Sequence, residues 1–243
     1  MRIAFFGGTF DPPHLGHLRI ALAAAERLQL DRVLFAPVAL QPFKSSPQTQ
    51  PQASFADRLA MLQLLLDDVH DPRLEVSSLD APRTDGRPNY TYETVLRLRS
   101  AIAPDDSLFV LTGADSLLTL HQWHRALDLV LAVDFIVAAR PGFPFDRLTK
   151  ELLNFMMPSM LRPGSLHQSD VQHLILVPGA APHLRRGDFY YNESRANFFL
   201  LPDIDEDISS TAIRATLSAN PQAALPNLAP SVSAYIEAHA LYR

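Results

Sequence analysis

Residues Gly7-Gly8-Thr9-Phe10-Asp11-Pro12-Pro13-His14-Leu15-Gly16-His17 gather two imidazoles, a carboxylate and a glycine pair in one short stretch. An apolar run at 3–6 precedes them, and a helical pattern carrying Leu18, Leu22, Ala25 and Leu28 follows. The order is strand, glycine turn, helix start. A helix start favours anions, because its leading N–H groups and its dipole face outward. The glycine pair lets backbone approach a bulky ligand and accepts φ values that other residues resist. Pro13 suits a first helical turn, and His14 and His17, three apart, share a face. Two imidazoles beside a bound polyphosphate point to phosphate chemistry. The H-x-x-H spacing also admits zinc, but the chain has no cysteine, no H-E-x-x-H and no third histidine before His70.

Such a site needs a scaffold, and the rest of the chain supplies a regular one. Strand-like runs recur at 3–6, 33–36, 74–77, 108–112, 135–139 and 198–201. Helical patterns lie at 18–28, 56–69 and 92–102, from about 211, and near 232–241, with Ser54 and Asp57 resembling a capping box. Alternating strands and helices predict an α/β fold with a doubly wound parallel sheet, which binds ligands beyond its strand carboxyl ends. The glycine turn falls at one such end and Gly113-Ala114-Asp115 at another, so the two can share a crevice. Residues 37–51 hold four prolines and read as a loop; 143–197 is less regular, with a helix expected at 147–157 and a short run at 174–177.

At 243 residues the chain suffices for one large α/β domain, and 47% hydrophobic with 19% charged residues fits a globular protein. A net charge of −5 argues against broad nucleic-acid binding while allowing a local basic site. No run is long and unbroken enough for a membrane span, no signal-peptide layout appears, and the lack of cysteine fits a reducing compartment, so a cytoplasmic location is expected.

Four further segments carry chemistry. Ser209, Ser210 and Thr211 can cap a helix and leave N–H groups for an anion, with Arg214 one turn on able to pair with phosphate oxygens. Taken alone, this is also an ordinary cap beside a solvated arginine. Asp115, at a strand end, can bond ribose hydroxyls, and Trp123 offers a flat face to an aromatic ring, or simply fills core space. Tyr90 and Thr91 stand at a helix start with Glu93 close behind. Lys44 in the proline-rich loop and Arg140 at the end of a strand are the remaining cations of interest. His121 and His124 form a second H-x-x-H and are placed at a rim or surface.

The first string resembles the H-x-G-H signature of the nucleotidyltransferase superfamily, in the form that bacterial nicotinate-mononucleotide adenylyltransferases carry. Ile208–Arg214 is similar to their I-S-S-T-x-I-R motif, Gly113-Ala114-Asp115-Ser116 with Trp123 to their G-A-D-S…W block, and Asn89–Thr94 to their S-Y-T-x-D-T run. The resemblance implies a Rossmann-like single domain, 1–243, that adenylylates nicotinate mononucleotide with ATP to give deamido-NAD and pyrophosphate. It implies ATP contacts from Gly7, Gly8, Thr9, Phe10, His14, His17, Asp115, Ser209, Ser210, Thr211 and Arg214. The mononucleotide would meet Lys44, Tyr90, Thr91, Trp123 and Arg140, and His14, His17, Lys44 and Arg214 would serve catalysis. Mg²⁺ would ride mainly on ATP phosphates. Partners would be these small molecules, without nucleic acid or membrane, and homo-oligomer formation stays open. Leu40 and Phe43 depart from the family's loop before Lys44, and Asn89 and Glu93 are replacements in the fourth block. The stretch 143–197 has no support from the resemblance and reads as an insertion. Rival readings are a relative acting on pantetheine phosphate or a polyol phosphate, a non-catalytic nucleotide sensor, and a fragment of an aminoacyl-tRNA synthetase.

Overall fold

The apolar runs become parallel strands because helices cover both of their faces, which is why the strands read as continuous hydrophobic stretches rather than alternating ones. The computed structural model describes residues 1–40, 50–140, 142–144, 174–176, 197–201, 204 and 208–243. Its strands are β1 (Arg2–Gly8), β2 (Arg32–Pro37), β3 (Leu74–Val76), β4 (Ser107–Gly113), β5 (Asp134–Ala138), β6 (Leu174–Leu176) and β7 (Phe198–Leu201). Its helices are α1 (Leu15–Arg27), α2 (Phe55–Asp67), α3 (Thr91–Ala101), α4 (Ala114–Leu117), α5 (Ala126–Ala132), α6 (Ser210–Ala219) and α7 (Pro230–Ala238), with a 3₁₀ turn at Leu120–Gln122. Among the described residues the sheet has seven strands in the order β3-β2-β1-β4-β5-β7-β6, and each of their pairings is parallel.

Period-two alternation sorts the strand residues into two cores. Phe6, Val33, Phe35, Phe109, Leu111, Ile136 and Leu201 pack with α1, α2, α6 and α7 on one face. Phe5, Leu34, Val110, Phe135 and Val137 pack with α3 and α5 on the other. Buried Leu18, Ala21, Ala24 and Ala25 give α1 a narrow apolar stripe, so it lies close against the sheet. On α2 the stripe of Met61, Leu62, Leu65 and Leu66 includes one charged member, Arg58, only 1% exposed. Each fully buried phenylalanine contributes roughly 1.5–3 kcal/mol through area removed from water.

The strands and helices expected within the described residues are present, and Ser54 accepts a bond from the Asp57 N–H at the start of α2. The short α4, the 3₁₀ turn and α5 were not expected; each spans too few residues for a periodic pattern to stand out. Part of the 143–197 stretch builds the sheet, since β6 pairs with β7. The helix expected at 147–157, the rest of that stretch and Lys44 lie outside the described residues. Among the described residues no helix is long and apolar enough to cross a membrane.

The strand order reverses between β1 and β4. Their last paired residues are Phe6 and Leu111, beyond which the two chains part. In doubly wound sheets the ligand crevice opens at that point.

Candidate active site

The opening between β1 and β4 leads into a cavity of about 740 Å³. Its lining brings together Gly7, Gly8, Thr9, Phe10, His14 and His17 from the first segment, Tyr90 and Thr91 from the start of α3, Asp115 just after β4, Trp123 just after the 3₁₀ turn, and Arg140 just after β5. Ser209, Ser210, Thr211 and Arg214 close it from the start of α6. Every described residue that the resemblance assigns to ATP or the mononucleotide thus borders one cavity, although the contributing segments are about two hundred positions apart; Glu93 and His121 do not line it.

Local geometry differs from expectation in three respects. Gly7 and Gly8 are the last residues of β1 and neither has positive φ; a Cβ on them would meet the Phe5 ring at 2.8 Å and the Phe10 ring at 2.9 Å. The left-handed residue of the turn is instead Phe10, at φ 49°. Such a conformation costs on the order of 1–3 kcal/mol for a non-glycine residue and persists only where packing enforces it. Phe10 is 1% exposed and packs edge-on against Phe6 and His17. Second, α1 starts at Leu15 with His14 as its N-cap, so Pro13 stands before the helix and not in its first turn. Third, the Ser209–Thr211 hydroxyls do not cap α6; Ser210 Oγ donates to the Pro12 carbonyl at 2.9 Å.

The two imidazoles stack with ring centroids 3.7 Å apart. The His14 N–H donates to His17 Nδ1 at 3.2 Å. That bond makes His17 Nδ1 an acceptor, so in the neutral ring the proton sits on Nε2 and is available as a donor. A Cβ at position 16 would stand 3.0 Å from His14 Nδ1, so glycine there leaves room for the ring. Burial pushes the His14 pKa down to about 4, with the Arg140 charge adding to the effect. His17 is pushed well below its ordinary value by burial and then by His14. Both rings are therefore neutral donors or acceptors near pH 7, not cations.

Cationic charge comes from Arg214 and Arg140. Arg214 Nη1 donates to the Asp11 carbonyl at 2.6 Å and Nη2 to Thr211 Oγ1 at 3.2 Å. Arg140, half exposed at the rim, lies 3.7 Å from the Asp115 carboxylate. Tyr90 caps α3 through its backbone, and its ring lies tilted by 31° against the His124 ring, with centroids 4.2 Å apart. His121 and His124 are both exposed, as a rim position requires. Trp123 is partly buried at the cavity edge. Glu93 accepts from Arg83 at 2.8 Å, so it is tied sideways and does not cap the helix.

Among the described residues no cluster of three or more histidine, aspartate or glutamate side chains is placed to hold a metal. Nearby carboxylates are engaged elsewhere: Asp11 with backbone amides and a tyrosine, Asp80 with Thr94.

Residues 5–216 match the Cytidylyltransferase-like family. A Sodalis glossinidius protein with the name "Probable nicotinate-nucleotide adenylyltransferase" is 33% identical, covering 99% of this chain and 96% of its own. One of the same name from Laribacter hongkongensis is 36% identical, covering 99% of this chain and 94% of its own. The chain belongs to the nicotinate-nucleotide adenylyltransferase family. A solved Plasmodium falciparum nicotinic acid mononucleotide adenylyltransferase, complexed with APC, has the same fold at a TM-score of 0.64 and 15% identity, covering 99% of this chain and 96% of that one.

For a member of this family the motif residues are the visible part of the site, and sequence reasoning missed the part beneath them. Arg58 on α2 donates to the carbonyls of Thr9 at 2.7 Å, Val38 at 2.9 Å and Ala53 at 3.3 Å. Its signal was there to read, since it is a charged residue on the apolar stripe of a helix. Asp80, 4% exposed, accepts the Thr94 hydroxyl behind Tyr90, and burial pushes its pKa up. Asp11, although inside the motif, was not assigned any role.

Proposed function

We propose that this protein transfers AMP from ATP to nicotinate mononucleotide, giving deamido-NAD and pyrophosphate. One observation carries the reading: the imidazole pair, the Arg214 guanidinium and the Tyr90–Trp123 wall border a single cavity at the β1/β4 switch point. A phosphate oxygen of the mononucleotide attacks the ATP α-phosphorus in line, a new P–O bond forms, and the bond to the β-phosphate oxygen breaks. The attacking phosphate is already a dianion, so the protein has little deprotonation to do. Its work is positioning and stabilisation of developing charge.

His17 Nε2–H and His14 supply neutral donors to the transferring phosphate, and Arg214 with the Ser209–Thr211 turn holds the triphosphate. Gly7, Gly8, Thr9, Phe10 and Asp115 complete the ATP side. Tyr90, Thr91 and Trp123 receive the pyridine ring and its carboxylate, with Arg140 near the mononucleotide phosphate. Lys44 has the same part in this reading, by virtue of the family resemblance alone. Mg²⁺ enters as MgATP, held by phosphates and water, and offsets triphosphate charge. The chain works as one domain, supported by the single continuous sheet, with 143–197 as an insertion that lends it one strand.

The test is pyrophosphate release from ATP and Mg²⁺ with nicotinate mononucleotide, nicotinamide mononucleotide or phosphopantetheine as acceptor. Nicotinate mononucleotide should give the highest kcat/KM. Preference for phosphopantetheine would overturn the acceptor, and release with no acceptor present would overturn transfer itself.

A further inference from the structure

The buried Asp11 carboxylate joins parts of the chain that the proposed reaction does not by itself connect. Asp11 is 1% exposed. Its Oδ2 accepts from the Gln52 N–H at 2.8 Å, and its Oδ1 from the Ala53 N–H at 3.1 Å and from the Tyr242 hydroxyl at 2.7 Å. The carbonyl of the same residue receives Arg214 Nη1, which also stands 3.9 Å from Oδ2. Arg214 therefore has two acceptors on one residue, the carbonyl it bonds and a carboxylate just out of reach. The carboxylate is anchored by its three other donors, the Gln52 N–H on Oδ2 and the Ala53 N–H and Tyr242 hydroxyl on Oδ1, and it pairs with the guanidinium only beyond hydrogen-bond distance.

Tyr242 is the one of these three donors that comes from a side chain, and it comes from the end of the chain. The backbone turns back sharply to deliver it: Ala240 and Tyr242 adopt φ of 52° and 63°, and the Leu241 N–H closes onto the Ile236 carbonyl at 3.0 Å. Two non-glycine residues in left-handed conformation within three positions indicate a seat enforced by packing. Tyr242 is 7% exposed in the core formed with α2 and α7. Burial first, and the Asp11 charge next, push its hydroxyl far above its ordinary pKa, so it stays a donor at all working pH values.

We infer that Tyr242 is a positioning residue for phosphate binding: by occupying Asp11 it leaves the Arg214 guanidinium on the Asp11 carbonyl, facing the cavity. This rests on the adenylyltransferase reading given above. Without the phenol, Oδ1 loses a partner, the carboxylate gains attraction for Arg214, and the guanidinium swings off the triphosphate.

The experiment compares Tyr242→Phe with Tyr235→Phe. Tyr235, on α7, donates to the Asp57 carboxylate at 3.0 Å and does not line the cavity, so it is a matched loss of one hydroxyl-to-carboxylate bond. Tyr242→Phe should lower kcat/KM for ATP about tenfold, near the low end of the scale for one hydrogen bond to a charged group, and weaken ATP binding by calorimetry by a smaller factor, about threefold. Tyr235→Phe should leave both unchanged. In an Arg214→Ala background, Tyr242→Phe should have no further effect on kcat/KM. Equal effects of the two tyrosine variants, or effects that multiply with Arg214→Ala, would overturn the inference. If the wild-type protein binds ATP but transfers nothing, the function reading fails, while weaker ATP binding in Tyr242→Phe alone still sustains the role of Tyr242.

Discussion

His17 offers the sharpest test, because its two ring nitrogens do different jobs. Nδ1 accepts the His14 N–H at 3.2 Å and so holds the start of α1. Nε2–H is left as the donor toward transferring phosphate. Amide side chains separate these jobs: asparagine places an oxygen near the Nδ1 position, and glutamine places an NH₂ near Nε2. His17→Asn keeps the bond at the helix start and loses the donor. Removing one preorganised donor aimed at developing charge costs about 3 kcal/mol, or roughly 10²-fold in kcat. KM for ATP should change by less than about threefold, since the interaction strengthens mainly in the transition state. His17→Gln keeps a donor but leaves the His14 N–H without its acceptor, at about 1–3 kcal/mol of stability. It should thus melt lower than His17→Asn while retaining more turnover. Both variants give up the ring stack on His14 and the edge contact with Phe10, so that packing loss cancels between them. The assay is steady-state pyrophosphate release, with a thermal melt of each variant. His17→Asn with more than half the wild-type kcat, or His17→Gln slower than His17→Asn, would refute the assignment of Nε2.

Two further outcomes follow from the site. The unfolded His14 ring takes up a proton near pH 6.5 but the folded ring only near pH 4, so the unfolded state binds more protons between those values. His14 therefore contributes stability that is fully present above pH 6.5 and lost as pH falls toward 4, by roughly 3 kcal/mol; urea midpoints of wild type and His14→Gln should converge across this range, and a constant gap would count against a buried neutral ring. Trp123→Ala should raise KM for nicotinate mononucleotide about two- to tenfold, the worth of one aromatic stack, with KM for ATP unchanged; an equal rise for both substrates would place the indole elsewhere in the cavity's work.

How far the sequence reached depended on whether a feature was local. The strands and long helices were legible because each is a run of one periodicity, and the sheet's parallel sense followed from their alternation. Two motif blocks could be assigned to one crevice because each sits where a strand ends, as Gly8 and Gly113 do. The conformation inside the first block was not legible. Two glycines suggested the left-handed position, yet it belongs to Phe10, whose aromatic neighbours are set by tertiary packing. Tyr242 was invisible for a simpler reason: nothing near it in sequence shows that it meets Asp11, 231 positions away.

The buried groups also change what the second motif is for. Residues 9–12 run between β1 and α1 without strand or helix partners, so their carbonyls need other donors. Arg58 serves Thr9, Arg214 serves Asp11, and Ser210 serves Pro12. Two of those three donors come from the segment that the sequence assigns to the triphosphate. A guanidinium has five N–H groups in a fixed fork, so Arg214 can satisfy a carbonyl with one edge and meet phosphate with another. Lysine at 214 would keep the charge and lose that division of labour. The spacing between the two motifs is therefore a folding requirement as well as a binding one, because the loop that presents His14 is held in shape by the helix start that faces it across the cavity.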